Sequence, residues 1–237
     1  MANAHGKDIA IYLGDTDVSG FLNANAITIN NELADTTAYA DEDRTHLAGL
    51  ITGTATLGGH FDGASGAIDE ELTNSLKTST LLSVAYGAAL SDRWIGMQLQ
   101  ASDYTISPPV GDVSVVSYVA QADDAGVSRG TVLHPIANVE TGAGSETKVD
   151  QAAATALGCI AFLHVIAFTG TDITITIEDG ATEGGAFTEL VGFTQVTGIT
   201  SERVKVAAAA TTPNRWVHVD WTGTFSSCTF IVGMERI

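Results

Sequence analysis

The residues of this 237-residue chain that could do acid, base or metal chemistry are thinly spread. Its six histidines lie far apart, and its two cysteines, Cys159 and Cys228, have neither metal-binding nor redox spacing. His218 and Asp220 share one face of a predicted strand and could form an acid–base pair. We interpret these two side chains as a surface or satisfied pair rather than as a catalytic one.

One stretch partly matches a calcium-binding loop. Asp15, Asp17, Ser19 and Gly20 hold the first, third, fifth and sixth positions that such a loop requires. Ala26 stands at the twelfth position, where a bidentate glutamate belongs, so the main ligand is missing. We interpret the stretch as an Asp-rich turn and expect this chain to bind no metal and no cofactor.

The sequence carries no recognisable enzyme signature. It lacks the Gly-Lys-Ser/Thr phosphate loop, the His-Glu-x-x-His zinc helix and the Gly-x-Ser-x-Gly nucleophile elbow. We therefore expect a protein that is not an enzyme. Trp94, Trp216 and Trp221 could stack against sugars in a binding module, but we favour core or interface packing for them.

The charge is strongly one-sided. The chain has 28 acidic and 10 basic residues, which gives a net charge of −18, while 45% of its residues are hydrophobic. Such a surface repels nucleic acid and anionic membranes, because binding to either needs lysine and arginine. Two interpretations remain open: a soluble acidic protein, or a surface past which nucleic acid must move without sticking.

Neither end of the chain nor its longest apolar run predicts a membrane segment. Residues 1–8 have no apolar core of the kind that signal peptides contain. The run 156–168 is shorter than the roughly 20 residues needed to span a bilayer. We expect a protein made and folded in a reducing cytosol, with no membrane partner and with both cysteines as buried free thiols.

A long polar connection, at about residues 33–52, is the best candidate for a functional segment. Loops of this length are often functional or mobile. Its acidic cluster could be catalytic, but no nucleophile is paired there with a base, so we interpret it as a contact surface. The candidate contact residues are Asp35, Tyr39, Asp41, Glu42, Asp43, Arg44, His46 and Leu47.

The spacing of hydrophobic residues predicts the secondary-structure elements that follow this connection. Residues 53–63 alternate apolar and polar side chains, which predicts a strand with one buried face. The period then changes to four, which predicts a short α-helix over about residues 68–78 with acidic residues in its first turn. The side chains expected to pack this helix are Ile68, Leu72 and Leu76.

Most of the remaining chain reads as short strands separated by turn signals, including a turn at residues 123–126. This pattern predicts a mainly β protein, an antiparallel sandwich or barrel with one short helix. We expect a single domain over residues 1–237, divisible into halves 1–136 and 152–237 that are joined by a polar, Gly-rich loop at 137–151.

Several short motifs occur in a fixed order along most of the chain. They are Ser19–Asn23, Asp35–Tyr39, Arg44–Leu50, Gly53–Gly63, Gly126–Pro135, Gly158–Val165 and Arg215–Val219. Together they resemble the major tail tube proteins of long-tailed, siphovirus-like bacterial and archaeal viruses. Each motif alone is little more than a strand with glycines, and it is the ordered set that carries the resemblance.

The resemblance implies a structural virion protein of the tail. It implies a tail-tube-type β fold that assembles with copies of itself into stacked hexameric rings, bound to other tail proteins. Viral DNA would pass through the negatively charged tube without specific binding. By the same resemblance, residues 32–53 reach the adjacent ring, and the helix packs outside the inner sheet.

Three other functions remain compatible with the sequence. A capsid decoration protein or another virion structural protein would share the β fold and the lack of catalysis. A carbohydrate-binding β-sandwich module would use one of the tryptophans as a stacking platform. A hydrolase with an unrecognised acidic site is the third. Self-assembly into tubes is predicted by the tail tube interpretation alone.

Overall fold

A computed structural model describes residues 6–40, 42–87, 89–208 and 212–237. Every strand pairing with a defined register in these ranges is antiparallel, which confirms the predicted mainly β, antiparallel class. The strands are β1 (Ile9–Leu13), β2 (Thr16–Asp17), β3 (Leu22–Asp35), β4 (His46–His60), β5 (Thr80–Tyr86), β6 (Arg93–Ser107), β7 (Val115–His134), β8 (Gly144–Ser145), β9 (Val149–Asp150), β10 (Gly158–Gly180), β11 (Thr188–Gly192), β12 (Thr200–Ala207) and β13 (Trp216–Arg236). One α-helix, α1, spans Ile68–Ser75, and a 3-10 turn spans Gly6–Asp8.

The chain forms two compact units, each assembled from separate segments. The large unit contains residues 1–20, 81–96 and 128–237, and the hairpin unit contains residues 21–80 and 97–127. Strands β6 and β7 each contribute residues to both units.

This division differs from the halves that the sequence indicates. The expected connecting loop, residues 137–151, lies inside the large unit and includes β8 and β9. Both of these short strands pair with β13. The expectation of one domain over residues 1–237 stays a prediction.

The core of the large unit is built on one long strand pair. β10 and β13 stay paired from Cys159 opposite Arg236 to Gly180 opposite Trp216, with three register shifts on the way. The sequence predicts short strands in this part of the chain, but bulges bend β10 without ending it. The largest core cluster of this unit includes Leu163, Ile173, Ile175, Val219, Phe230 and Val232, all fully buried.

The hairpin unit is named for β3 and β4, which pair from Leu22 opposite Gly59 to Asp35 opposite His46. The other edge of β4 pairs with β7, but only from Thr54 to His60. β6 lies on the far side of β7. The strand order of this unit is therefore β3-β4-β7-β6.

Helix α1 packs against the hairpin unit through Ile68 and Leu72, both fully buried. The Ser75 hydroxyl lies 3.0 Å from the Tyr118 hydroxyl, and the Tyr104 hydroxyl donates a hydrogen bond of 2.6 Å to Asp69. The helix ends at Ser75 rather than near residue 78. Leu76 therefore lies at the helix end with 37% of its surface exposed. The buried apolar side chains of the helix are Ile68 and Leu72 only.

Two predicted connections differ from the structure. The loop expected at about residues 33–52 is present but shorter, because β3 continues to Asp35 and β4 begins at His46, which leaves residues 36–45 as loop. The turn expected at residues 123–126 is wrong, because β7 runs through it with Gly126 at φ +68°. In the first of these places, residues 33–35 and 46–52 belong to strands although they are polar in part and solvent-exposed.

Candidate functional site

The outer part of the β3–β4 hairpin, residues 29–53, is the most unusual surface of the hairpin unit. β4 has no partner other than β3 until Thr54, and β3 pairs only with β4 among the described strands. The 14 residues of β3 therefore present an open strand edge. Open edges offer unpaired N–H and C=O groups to another strand, and proteins usually cover or shorten them.

Large apolar side chains are exposed along this outer hairpin. Leu50 is 75% exposed, Leu47 64%, Leu33 61%, Ile51 61% and Ile29 39%. Isolated exposed apolar residues are ordinary, but several of them on one short hairpin mark a candidate interaction surface. The hairpin thus carries an apolar surface that one copy of the chain does not bury.

The apolar surface continues the buried core of the same sheet. Ile27 lies opposite Ala55 and Asn25 opposite Leu57, and both β4 residues are fully buried. Further out, Ile29 lies opposite Gly53 on the same face, because side chains alternate along a strand. The apolar face is therefore covered at its base and uncovered toward its tip.

Gly53 marks the point where the hairpin leaves the body of the unit. A Cβ atom added at this position would collide with the side chain of Val127 and would also meet Ala122. A side chain at this position would have to displace the side chain of Val127 on β7, which favours glycine here. Beyond Gly53, every residue of β4 back to His46 is exposed.

The tip of the hairpin is an ordered loop rather than an extended chain. The Thr36 N–H donates to the Thr45 carbonyl at 2.9 Å, and the Thr45 N–H donates to the Thr37 hydroxyl at 3.0 Å. Hydrogen bonds from the Thr37 hydroxyl and N–H lower the pKa of the Asp35 carboxyl below its ordinary value. Asp35 is thus an ionised side chain that closes the loop.

The structure brings most of the predicted contact residues together at this tip. Asp35, His46 and Leu47 lie at the ends of the two strands, and the others lie in the loop between them. Asp41 lies outside the described residues. The described members, all exposed, are Asp35, Tyr39, Glu42, Asp43, Arg44, His46 and Leu47.

Sequence reasoning missed the apolar members of the same surface, Ile29, Leu33, Leu50 and Ile51. They lie on strands that the sequence reads partly as loop. The spacing of Ile27, Ile29 and Leu33, interrupted by the polar Asn31, predicts a half-buried strand as far as Leu33 but gives no signal for Leu50 and Ile51.

The two units also differ in their balance of acidic and basic residues. The hairpin unit contains 13 acidic residues and only two basic ones, Arg44 and Lys77. The large unit contains 15 acidic and eight basic residues. The surface that carries the exposed apolar side chains is therefore also the more one-sided in charge.

The large unit holds the densest cluster of titratable groups. His134 is fully buried, with Nδ1 3.1 Å from the Phe230 carbonyl and Nε2 3.4 Å from Glu140 Oε1. Burial lowers the pKa of His134, although Glu146 and Glu140 oppose this shift. The cluster fastens the segment that contains Glu140 to β7 and β13. The members of this cluster are far apart in the sequence and form no motif, so the sequence did not indicate it.

The other candidate residues are built into the core. His218 Nε2 lies 3.3 Å from Glu178 Oε2, so the carboxylate that His218 contacts is Glu178 rather than Asp220. Cys159 and Cys228 are buried free thiols, and burial raises the pKa of each to about 11.

Two of the three tryptophans cannot serve as an open stacking platform. Trp94 and Trp221 are only 1% and 4% exposed. The Trp221 indole N–H donates to the Gly142 carbonyl at 3.0 Å, and Trp94 meets the edge of Phe162. Trp216 is half-buried, with the Arg215 guanidinium 5.6 Å from its ring centre.

The Asp-rich stretch near the start of the chain forms turns beside β1. The Ser19 N–H donates to the Asp17 carboxylate at 2.9 Å, and the Ser19 hydroxyl accepts from the Ile11 N–H at 2.8 Å. No group of three or more potential ligands among the described residues is arranged to hold a metal ion. In the same part of the chain, no helix is long and apolar enough to cross a membrane.

No protein-family model matches this sequence, and no curated protein matches it. Solved structures that are similar to the chain come from virus tails and from contractile injection systems.

A subunit from the virion of a native gene transfer agent particle is 17% identical, with a TM-score of 0.44 over 54% of this chain and 98% of that one. The SPP1 tail tube protein is 8% identical, with a TM-score of 0.46 over 54% and 80%. The SPP1 Dit protein, from a hub adsorption apparatus, is 12% identical, with a TM-score of 0.38 over 97% and 99%. With TM-scores below 0.5, these similarities alone assign neither a family nor an activity.

Proposed function

We propose that this chain is a structural protein of a virus tail, which assembles with copies of itself into stacked hexameric rings that form the tail tube. The observation that carries the proposal is the outer hairpin, residues 29–53, whose strand edge and apolar face are left uncovered by a single copy. An ordered surface of this kind needs a partner, and further copies of the chain supply one without another gene product.

The energetic reason for assembly lies in the exposed apolar side chains. Burying one leucine or isoleucine fully is worth about 1.5–3 kcal/mol. Five such residues on the outer hairpin are 39–75% exposed and lie on both of its faces, so contacts that cover them gain part of this amount for each residue, before the cost of association. Pairing of the β3 edge with a neighbouring strand adds main-chain hydrogen bonds and removes the open edge.

The acidic composition suits the proposed conduit. A tube wall rich in carboxylates repels the phosphate backbone, so DNA slides through without specific binding. The hairpin unit, with 13 acidic residues against two basic ones, is the part of the chain best suited to line such a wall. The hexameric ring and the contact with the adjacent ring follow from the resemblance of the ordered motifs.

The remaining features of the proposal concern partners and place. Other tail proteins would bind the ends of the tube, and the chain would be made in the host cytoplasm before joining the virion tail. Helix α1 would pack outside the inner sheet. We propose no catalytic, metal-binding or cofactor-binding role for any residue.

Electron microscopy of the purified protein tests this function. The protein is concentrated and imaged at several salt levels, because a net charge of −18 opposes association most strongly where screening is weak. We expect hollow tubes or six-membered rings, more abundant at high salt. A monomer at every salt level and concentration, also in the presence of tail tip proteins, would contradict the proposal. Binding to a capsid lattice without self-stacking would favour a decoration protein instead.

A further inference from the structure

A second apolar surface lies at the opposite end of the same sheet. The loop of residues 108–114 joins β6 to β7 in the hairpin unit. Val110 is fully exposed and Val113 is 56% exposed, and Ile106 and Val115 beside the loop are 42% and 39% exposed. We call residues 108–114 the β6–β7 loop.

Strand register fixes which end of the sheet each surface occupies. Val115, the first residue after the β6–β7 loop, lies opposite His60, the last residue of β4. The hairpin tip lies at the other end of β4, where His46 pairs with Asp35. Since β4 has 15 residues at about 3.3 Å each, the two surfaces are about 45 Å apart along the strand.

We propose that the hairpin tip of one copy docks on the β6–β7 loop of a second copy. This inference rests on the proposed function and names the surface that receives the hairpin. Two different surfaces at opposite ends of one unit make a head-to-tail contact, which repeats without closing on itself. Such a contact extends a stack of rings, whereas contacts around each ring must use other surfaces.

The two surfaces match in their apolar character. The tip offers Tyr39, which is fully exposed, and Leu47, and the receiving loop offers Val110 and Val113. A tyrosine that contacts aliphatic side chains buries a large area at small entropic cost, which is why aromatic residues act as interface anchors.

The receiving loop is preorganised for binding. It begins with Pro108 and Pro109, whose rings fix φ, and Gly111 adopts φ +88°, which favours glycine. The Val113 N–H donates to the Asp112 carboxylate at 2.7 Å. A loop restrained in this way loses little conformational freedom when a partner docks.

The two surfaces carry side chains of opposite charge, which gives the contact a direction. Arg44, exposed at the tip, is the one basic residue of the sequence between positions 21 and 76. Asp112, exposed in the β6–β7 loop, is the acidic residue nearest to Val110 and Val113. A docked tip would bring Arg44 toward Asp112, which offsets part of the repulsion between two acidic units.

Cross-linking between introduced cysteines tests the contact. A variant with Tyr39→Cys and Val110→Cys is assembled and treated with a short bifunctional maleimide. Cys159 and Cys228 stay unreactive because they are buried and have pKa values raised to about 11. The matched control carries Tyr39→Cys with Leu157→Cys, which places the second thiol on an exposed site of the large unit.

We expect covalent dimers and higher oligomers from the Tyr39→Cys, Val110→Cys tubes and mostly monomer from the control tubes. Tubes that form but cross-link no better than the control would overturn the inference and leave the proposed function standing. Wild-type protein that forms no tubes would overturn both.

A charge exchange provides the second measurement, which does not depend on thiol chemistry. Arg44→Asp and Asp112→Arg, made separately, should each raise the protein concentration needed for tube formation by about tenfold. The double variant should return close to the wild-type value, because the pair is restored with its polarity reversed. Asp103→Arg combined with Arg44→Asp is the control and should not restore assembly. Equal assembly by the two double variants would overturn the proposed pairing.

Discussion

The two units of this chain differ in where their polar and exposed apolar side chains make contacts. In the large unit, charged groups find partners within the chain: Arg215 donates two hydrogen bonds to Asp150, at 2.7 and 2.6 Å, and Asn214 donates to the buried Asp179. In the hairpin unit, exposed apolar side chains are concentrated on the outer hairpin, where Leu33, Leu47, Leu50 and Ile51 are 61–75% exposed.

This difference separates stability from function along the sequence. In the large unit, Asp150 and Asp179 serve the fold, because the groups that donate hydrogen bonds to them lie within the same unit. Residues of the outer hairpin contribute little to the fold of one copy, since they are exposed. Their polar and apolar side chains are therefore available for contacts between copies.

The largest expected effect comes from removing the outer hairpin. Asn30 and Thr52 lie opposite each other, so residues 31–51 can be replaced by Asn-Gly, which forms a tight two-residue turn. We expect the shortened protein to keep a cooperative unfolding transition close to the wild-type midpoint, because the removed residues are exposed. We also expect it to form no tubes in electron microscopy. Tubes of normal appearance would show that the outer hairpin is not the assembly surface.

Matched leucine substitutions sharpen the comparison between the units. Leu163, fully buried in the large unit, should lose about 2–5 kcal/mol of unfolding free energy on replacement by alanine. Leu50, 75% exposed on the outer hairpin, should change the unfolding free energy by less than about 0.5 kcal/mol. Urea denaturation measures both unfolding free energies. When only folded protein is compared, Leu50→Ala should weaken tube assembly and Leu163→Ala should not. A large loss of stability from Leu50→Ala would mean that the hairpin supports the fold.

A pH dependence is expected from His164 in the large unit. Its Nδ1 donates to the Gly14 carbonyl at 2.6 Å and its Nε2 accepts from the Ser83 hydroxyl at 2.7 Å, so the neutral ring is fully satisfied. Burial lowers the pKa of His164 to about 4. The unfolded chain, with an ordinary histidine pKa near 6.5, takes up the proton first, so stability falls as pH drops from about 6.5 to 4.

The loss from this one group is about 3 kcal/mol once pH reaches 4. NMR titration of the His164 ring, together with unfolding free energies at several pH values, measures it. His60→Gln, a change at an exposed histidine of the hairpin unit, serves as the control and should leave the pH dependence as it is in the wild type. A His164 ring that titrates near 6.5 would contradict the buried, neutral assignment.

The smallest effect is expected at the exposed pair of Arg215 and Asp150. Hydrogen bonds from Arg215 lower the pKa of Asp150 to about 2. Stability from this pair is present above the unfolded pKa and is lost as pH falls toward 2. Arg215→Gln should raise the pKa of Asp150 toward its ordinary value, as seen by carboxyl NMR titration, with little change in stability at pH 7. An unchanged pKa would mean that Arg215 is not its cause.

The sequence predicted secondary structure correctly where one face of an element is buried, because burial imposes a regular spacing of hydrophobic residues. The alternation of Ala55 and Leu57 gave the inner part of β4, and Ile68 and Leu72 gave the start and buried face of α1. It failed where strands are exposed on both faces. The outer hairpin has no buried face to impose an alternation, so its polar residues look like a loop.

Other features were beyond reach because they depend on contacts distant in sequence. The division into two interleaved units cannot be read from local composition, since segments such as 81–96 and 128–237 meet only after folding. The partnership of His134 with Glu140 and Phe230 depends on the register of β7 against β13. The predicted contact residues lie together at the hairpin tip because they are contiguous in sequence, and their role in a contact stays a prediction.

The long pairing of β10 with β13 has a mechanical consequence. A force applied along these strands loads many main-chain hydrogen bonds at once, because the bonds lie perpendicular to the strand direction. A force that peels the strands apart from one end would instead break the bonds one after another. The large unit should therefore resist stretching along β10 far better than peeling, and a tube built from it would be stiff in the direction along which these strands run.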